Sequence, residues 1–394
     1  MKILMNAVLD LAEENACKIH FMAIAKEFKN FGHEVEAILP KPSKIINKGE
    51  LTNSFDRVFW TPSVYGGPFS QTIKGMMQLR TILTLILKEK LDIFYSRFHV
   101  AAPLFCILIK FARPPLIIIS EHDGYSYDTI RMLNFSRLRA FIVKRLQLLD
   151  AKLSDKVRVV TEGIKHLLVQ NGVNESKIFV VGNSTDIDHF RPVKRDKALK
   201  AAGLKSDFYY IGFIGYLAKW QGVDFVLRAA PMILKEMPQV RFLVVGDGPE
   251  YKNLRFLSKK LGIEKECIFT GSVPYKLAPV YINSFDIAVA PFTRERNEKI
   301  GLSPLKIRDY AACGIPIVAS KVKGLEMVEE NNIGVLVNPE DEEKLANAII
   351  FLLKNPEIRK EIGQRARELA ERELSWKKTA RKILNNITLF VLPS

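Results

Sequence analysis

Residues 301–320, Gly-Leu-Ser-Pro-Leu-Lys-Ile-Arg-Asp-Tyr-Ala-Ala-Cys-Gly-Ile-Pro-Ile-Val-Ala-Ser, combine groups that suit a phosphorylated ligand bearing a diol. Ser303 is a good N-cap, and Pro304 fits a first helical position. Gly314, then Pro316, stops the helix before an apolar strand. The start of a helix carries unpaired N–H groups and partial positive charge, which attract phosphate. Lys306 adds a full charge one turn in, and Asp309, three residues further, shares its face. A carboxylate there accepts hydrogen bonds from two ribose hydroxyls. The segment therefore suits a nucleoside diphosphate. The plainer alternative is a capped helix with a surface ion pair.

A second segment, Ile211-Gly212-Phe213-Ile214-Gly215-Tyr216-Leu217-Ala218-Lys219-Trp220-Gln221-Gly222, reads as strand, glycine turn and helix start. Gly215 lets backbone approach a ligand, and Lys219 can place a charge near phosphates. A plain turn between strand and helix is the alternative. Val244-Val245-Gly246-Asp247-Gly248-Pro249 is a further turn of this kind, with Asp247 as a capping residue rather than a catalytic one. Ser120-Glu121-His122-Asp123-Gly124 follows the apolar run Leu116 to Ile119, at a strand carboxyl end. A neutral imidazole at His122 can accept from a hydroxyl and orient it. A loop histidine without a role is the alternative.

These segments, in this order, resemble the retaining glycosyltransferases of family 4, whose members carry a Ser-Pro-Leu-Lys, acidic residue, Tyr, Ala-rich, Gly-x-Pro-Val-Val-Ala-Ser stretch. The resemblance covers nearly the whole chain. It implies that Asp309 binds ribose. The family's first glutamate falls on Gly301 here, so either Glu295 or Glu298 substitutes for it in a rearranged loop, or the backbone N–H groups of Gly301, Leu302 and Ser303 hold the sugar and phosphate. The family's loop Arg and Lys that grip the diphosphate fall on Tyr216 and Gln221, which shifts that work to Lys219 or Lys306. Phe269 to Pro274 matches the segment whose backbone contacts the nucleobase, at Val273 and Pro274. In the amino-terminal half, Asn15 and Ala16 replace a glycine pair, His20 matches a family histidine, and Gly32-His33-Glu34-Val35 matches fully. By the same resemblance His122 touches the transferred sugar, and Asn15 and His20 line the acceptor side. Ile178 to Pro192 then resembles the link between two lobes.

The elements that must position these residues alternate along the chain. Strands are expected at Lys2 to Met5, Glu34 to Leu39, Val58 to Trp60, Asp92 to Tyr95, Leu116 to Ile119 and Val157 to Val160. A second series runs through Tyr210 to Ile214, Arg241 to Val245, Cys267 to Thr270, Ile287 to Ala290, Ile315 to Ala319 and Gly334 to Val337. Helices separate them, which predicts parallel sheets covered by helices. The expected fold is α/β, with two doubly wound Rossmann-like domains facing a central cleft, the GT-B type. Residues 1–192 would form an acceptor-binding domain and 193–374 a donor-binding domain. The terminal helix, 375–394, would return to the first domain. Ligands in such sheets bind at strand carboxyl ends.

The chain has 394 residues, 48% hydrophobic and 26% charged, which fits two ordinary globular domains. Its four cysteines, Cys17, Cys106, Cys267 and Cys313, have no metal or redox spacing. Together with an apolar start, Met1 to Leu9, too short for a signal peptide, this predicts a cytoplasmic protein. The net charge of +16 favours an anionic partner. Arg131 to Lys156 mixes Arg137, Arg139, Lys144, Arg145 and Lys152 with Leu, Phe and Ile. Such a helix can lie on an anionic membrane surface at the inner face, or can simply be a solvated face. Zinc-finger and RNA-binding signatures are absent, which argues against nucleic acid. No Asp-x-Asp pair follows a strand, so metal independence is expected, with no cofactor beyond the nucleotide-diphosphate sugar that serves as substrate. The reading is a hexosyltransferase acting on a carbohydrate or lipid-linked acceptor. A nucleotide-sugar epimerase of the same fold and a catalytically degenerate nucleotide- or partner-binding protein are the alternatives.

Overall fold

The computed structural model describes residues 1–65, 70–112, 116–124 and 136–388. Arg113, Pro114 and Pro115, the first part of the basic segment (131–135), and Leu389 lie outside the described residues. The chain forms two compact units, residues 1–182 with 376–394, and residues 183–375. Residues 183–192 thus belong to the second unit, where Phe190 enters the core beside Tyr210 and Tyr310.

The first unit is built on seven strands. They are β1 (Lys2–Asn6), β2 (Glu34–Pro40), β3 (Arg57–Thr61), β4 (Ile93–Arg97), β5 (Ile117–His122), β6 (Lys156–Val159) and β7 (Ile178–Val180). Their order is β3-β2-β1-β4-β5-β6-β7, and every pairing is parallel. β7 falls in the segment read from sequence as a link, because three residues are too few to show a period. The runs Ile3-Leu4-Met5 and Ile118-Ile119 are buried, as strands covered on both faces require. The helix Trp376–Thr388 returns to this unit, where Trp376 stacks on His20 of the helix Ala16–Asn30 at 5.4 Å.

The second unit has six parallel strands: β8 (Tyr209–Ile214), β9 (Val240–Val245), β10 (Cys267–Gly271), β11 (Ile287–Ala290), β12 (Ile317–Ser320) and β13 (Gly334–Val337). Their order is β10-β9-β8-β11-β12-β13. In both sheets the order reverses beside the first strand, between β1 and β4 and between β8 and β11. Such a reversal opens a crevice at the strand carboxyl ends, where ligands bind in doubly wound sheets. Two apolar clusters fill the second unit, one around Phe285, Ile307 and Tyr310, the other around Phe213, Leu227 and Phe242.

Candidate functional site

In the second unit, the reversal between β8 and β11 brings together three of the residues singled out for donor binding, Gly215, Gln221 and Lys306, with Asp309 on the same helix as Lys306. The helix Leu305–Ala312 starts one residue later than the Ser303 cap predicts, because Pro304 occupies the cap position. Ser303 has another partner: its Oγ accepts the Asn183 N–H at 2.8 Å, and its carbonyl accepts from Asn183 Nδ2 at 2.9 Å. The far end behaves as read, with Gly314 left-handed (φ +71°) just beyond the helix.

Lys306 lies buried along this helix. Its ammonium sits 3.6 Å from the Phe213 ring centre and 5.5 Å from that of Phe292. It donates to Gln221 Oε1 at 2.8 Å. A Cβ on Gly215 would stand 2.9 Å from Lys306 Nζ, so the bare backbone at Gly215 makes room for the amine. Gly215 adopts φ +142°, a conformation suited to glycine. Gly215, Gln221 and Lys306 therefore form one cluster at the ends of β8 and β11. Burial drives the lysine well below its usual range, with Asp309 as the opposing influence. Lys219, by contrast, is exposed on its short turn Lys219–Gln221.

Asp309 accepts from the Thr185 hydroxyl at 2.6 Å. Burial pushes its carboxyl up to about 7, against the pull of Thr185, Arg308 and Lys306. Arg308 is itself buried and donates from Nη1 to the Pro304 carbonyl at 2.9 Å, while its Nε has no partner. Burial lowers that guanidinium to about 10. Tyr310 accepts the Ile214 N–H at 3.0 Å and so ties the helix to the end of β8. Gly301 is left-handed (φ +69°), and the Leu302 N–H donates to the Lys323 carbonyl at 2.8 Å, which occupies one of the backbone donors expected to serve the ligand. Val273 packs against the core, and Pro274 is exposed at the start of the turn Tyr275–Leu277. Glu295 and Glu298 line an open groove of about 680 Å³, with Lys299, Lys321, Lys323 and Leu336.

In the first unit the polar residues alternate across β5. Ser120 and His122 face one side and Glu121 the other, as the two-residue period of a strand dictates. His122 is 1% exposed. Its Nδ1 is 3.0 Å from Gln147 Nε2, and its Nε2 is 3.3 Å from Asp150 and 3.0 Å from Ser120 Oγ. Phe98 stacks on the ring at 5.3 Å. Both ring nitrogens thus have protein partners, so in this arrangement neither is free for a sugar hydroxyl.

On the opposite face, Glu121 accepts from Arg158 Nη1 at 2.6 Å and from the Tyr95 hydroxyl. His20 Nε2 lies 2.6 Å from the same Arg158 nitrogen, and burial keeps the imidazole below its usual value. The same Nε2 lies 3.4 Å from Glu121 Oε1, which works against the effect of burial, and the ring packs beneath Trp376. Asn15 caps its helix, accepting the Lys18 N–H at 3.0 Å. At the reversal between β1 and β4, His99 Nε2 lies 3.0 Å from Asn6 Oδ1, and burial pulls its imidazole down to about 4. Arg158, His99, Arg308, Asn183 and Thr185 are polar groups that sequence reading did not single out. Among the described residues, no group of three or more His, Cys, Asp or Glu is arranged to hold a metal ion.

Two family models match: "Glycosyltransferase Family 4" over residues 18–189 and "Glycosyl transferases group 1" over 194–369. An uncharacterized glycosyltransferase of Methanocaldococcus jannaschii is 25% identical over 276 residues, 70% of this chain and 68% of that one. The UDP-Gal:alpha-D-GlcNAc-diphosphoundecaprenol alpha-1,3-galactosyltransferase of Escherichia coli is 24% identical over 312 residues, 77% of each chain. The chain spans only 48% of a D-inositol 3-phosphate glycosyltransferase of Saccharomonospora viridis that it also matches. Among solved structures, Anabaena HepE in complex with UDP superimposes with a TM-score of 0.75 at 20% identity, over 99% of this chain and 100% of that one. The two parallel sheets and these matches make the fold GT-B. The chain belongs to the group 1 glycosyl transferases, with an amino-terminal half of the family 4 type, and is a glycosyltransferase.

Proposed function

We propose that this protein moves a hexosyl group from a nucleotide-diphosphate sugar to an acceptor hydroxyl with retention at the anomeric carbon. The observation that carries the reading is the buried ammonium of Lys306 at the ends of β8 and β11, with the Asp309 carboxyl three residues along the same helix. The ammonium and the helix start would stabilise charge developing on the leaving diphosphate, and Asp309 would hold the ribose diol. The acceptor hydroxyl attacks from the face the diphosphate leaves. Its proton passes to a departing phosphate oxygen, so no protein nucleophile is required. Turnover needs neither metal nor cofactor. His122, held by Asp150 and Gln147, orients the end of β5.

A lipid-linked acceptor at an anionic inner membrane surface is supported by the helix Arg137–Leu153. It exposes Leu138, Phe141 and Ile142 beside Arg137, Arg139 and Arg145. Among the described residues, no helix is long and apolar enough to cross a membrane. The printed name of the Escherichia coli relative, with its diphosphoundecaprenol acceptor, supports the same class.

The test is incubation with uridine, guanosine and adenosine diphosphate hexoses and polyprenyl-diphosphate glycans, in EDTA. The expected result is one donor consumed, with an α-linked product by NMR from an α-linked donor. Inversion of the anomeric carbon would overturn the retaining mechanism, and dependence on a divalent cation would overturn metal independence.

A further inference from the structure

In the second unit, the chain just after β7 grips the helix start and the acidic residue of the same segment. Asn183 engages Ser303 twice, through its N–H at 2.8 Å and its Nδ2 at 2.9 Å. Two residues on, the Thr185 hydroxyl donates to Asp309 Oδ1 at 2.6 Å. Thr185 is buried, and its own N–H donates to the Leu374 carbonyl at 2.9 Å. A β-branched side chain on a tethered backbone has little freedom to turn away. A carboxylate offers about four acceptor sites, so a bond to Oδ1 leaves Oδ2 able to receive a diol.

We infer that Thr185 is a positioning residue for nucleotide recognition, fixing the plane of the Asp309 carboxylate for two ribose hydroxyls while Asn183 fixes Ser303 at the helix start. The inference rests on the reading of Asp309 as the ribose-binding acid. The titratable, charged and hydrogen-bonding groups acting on Asp309 are Thr185, Asp186, Tyr275, Lys306, Arg308, Tyr310 and Cys313. Burial is the largest influence raising its carboxyl, and the Thr185 hydrogen bond is the largest lowering it. Loss of that hydroxyl therefore leaves more of the carboxyl protonated at neutral pH, and a protonated acid, with one acceptor site turned into a donor, accepts more weakly from the two ribose hydroxyls.

The test is calorimetric titration of UDP, dUDP, GDP, dGDP and pyrophosphate into the full chain and its Thr185→Val, Thr185→Ser and Asn183→Ala variants, between pH 6 and 9. The wild type is expected to prefer one ribonucleotide over its 2′-deoxy form. Thr185→Val should weaken that ribonucleotide about tenfold at neutral pH, and less at high pH. It should narrow the ribo-to-deoxy ratio and leave pyrophosphate binding unchanged. Thr185→Ser should stay within about twofold of wild type. Asn183→Ala should weaken pyrophosphate and ribonucleotide alike, keeping the ratio. If Thr185→Val does not fold, Thr185→Ala takes its place. A folded variant without the hydroxyl that keeps the full ribo-to-deoxy ratio would overturn the role of Thr185. A wild type that binds its preferred nucleotide and the 2′-deoxy form equally, or binds no nucleotide, would overturn the reading of Asp309 itself.

Discussion

Lys306 donates its buried ammonium proton to Gln221 Oε1, 85 positions earlier in the chain, at 2.8 Å. The glutamine therefore stands beside the cation instead of supplying one. A second lysine at that position would meet Lys306 as a like charge in a poorly solvated place. The Lys306 amine lies against the rings of Phe213 and Phe292 at the ends of β8 and β11.

Lys306→Met should weaken binding of a nucleoside diphosphate by about two orders of magnitude, since it removes one partner of a desolvated charge pair. The unliganded melting temperature should hold or rise, because burying an amine is unfavourable. Calorimetry with UDP and a thermal scan separate the two effects. Unchanged UDP affinity in a variant of normal stability would contradict the phosphate role.

Asp309 makes stability depend on pH in a defined direction. Its carboxyl is raised from 3.8 to about 7 in the folded protein. Between those values the folded state holds a proton that the unfolded chain has released, so stability falls as pH rises through the window and stays low above it. Asp309→Asn should therefore be more stable than wild type above neutral pH, by at most roughly 4 kcal/mol. The gap should close toward pH 4. Urea unfolding at pH 5 and pH 8 measures it, and an equal effect at both pH values would refute the raised carboxyl.

Gly246 and Gly32 both have left-handed backbone, at φ +136° and +83°. A Cβ at Gly246 would lie 2.0 Å from the Gly215 carbonyl oxygen, whereas one at Gly32 meets nothing within 4 Å. Gly32→Ala should cost about 1 kcal/mol from backbone strain alone. Gly246→Ala should cost about 3 kcal/mol or more, because backbone must move against backbone. Denaturant midpoints of the two variants compare the effects directly, and similar losses would mean that the loop yields easily.

The helix Arg137–Leu153 exposes Leu138, Phe141 and Ile142 at 69%, 48% and 47% of their surfaces. Co-sedimentation with phosphatidylglycerol vesicles should exceed that with phosphatidylcholine and weaken with salt. Each of Arg137→Glu and Arg139→Glu should weaken binding by about 1 kcal/mol or more. Equal binding to both lipids would dismiss the anionic-surface proposal.

Local chemistry made the helix end at Gly314 and most strands legible, because breakers and apolar runs act over a few residues. The partners that complete the cluster were not legible. Thr185 and Asp309 lie 124 positions apart, and nothing near either residue announces the other. Ser303 looked like a cap because its competing donor, Asn183, is equally remote. The polar pattern Ser120-Glu121-His122 resembled the end of a strand, yet β5 continues through it. Partners on both faces, Asp150 and Gln147 on one and Arg158 on the other, absorb its polar atoms. Burial of a polar run depends on such distant matches, which hydropathy does not record.

The second unit occupies one uninterrupted stretch of chain, 183–375, and its ends are neighbours: Thr185 donates its N–H to the Leu374 carbonyl at 2.9 Å and pairs with Ser375. The first unit is closed by a helix from beyond that stretch, with Trp376 against His20. In engineering terms the second unit is a cassette inserted into a host. A hybrid that keeps 1–182 and 376–394 and receives the corresponding stretch of a relative preserves the core of each part. The two parts can then be exchanged as separate modules.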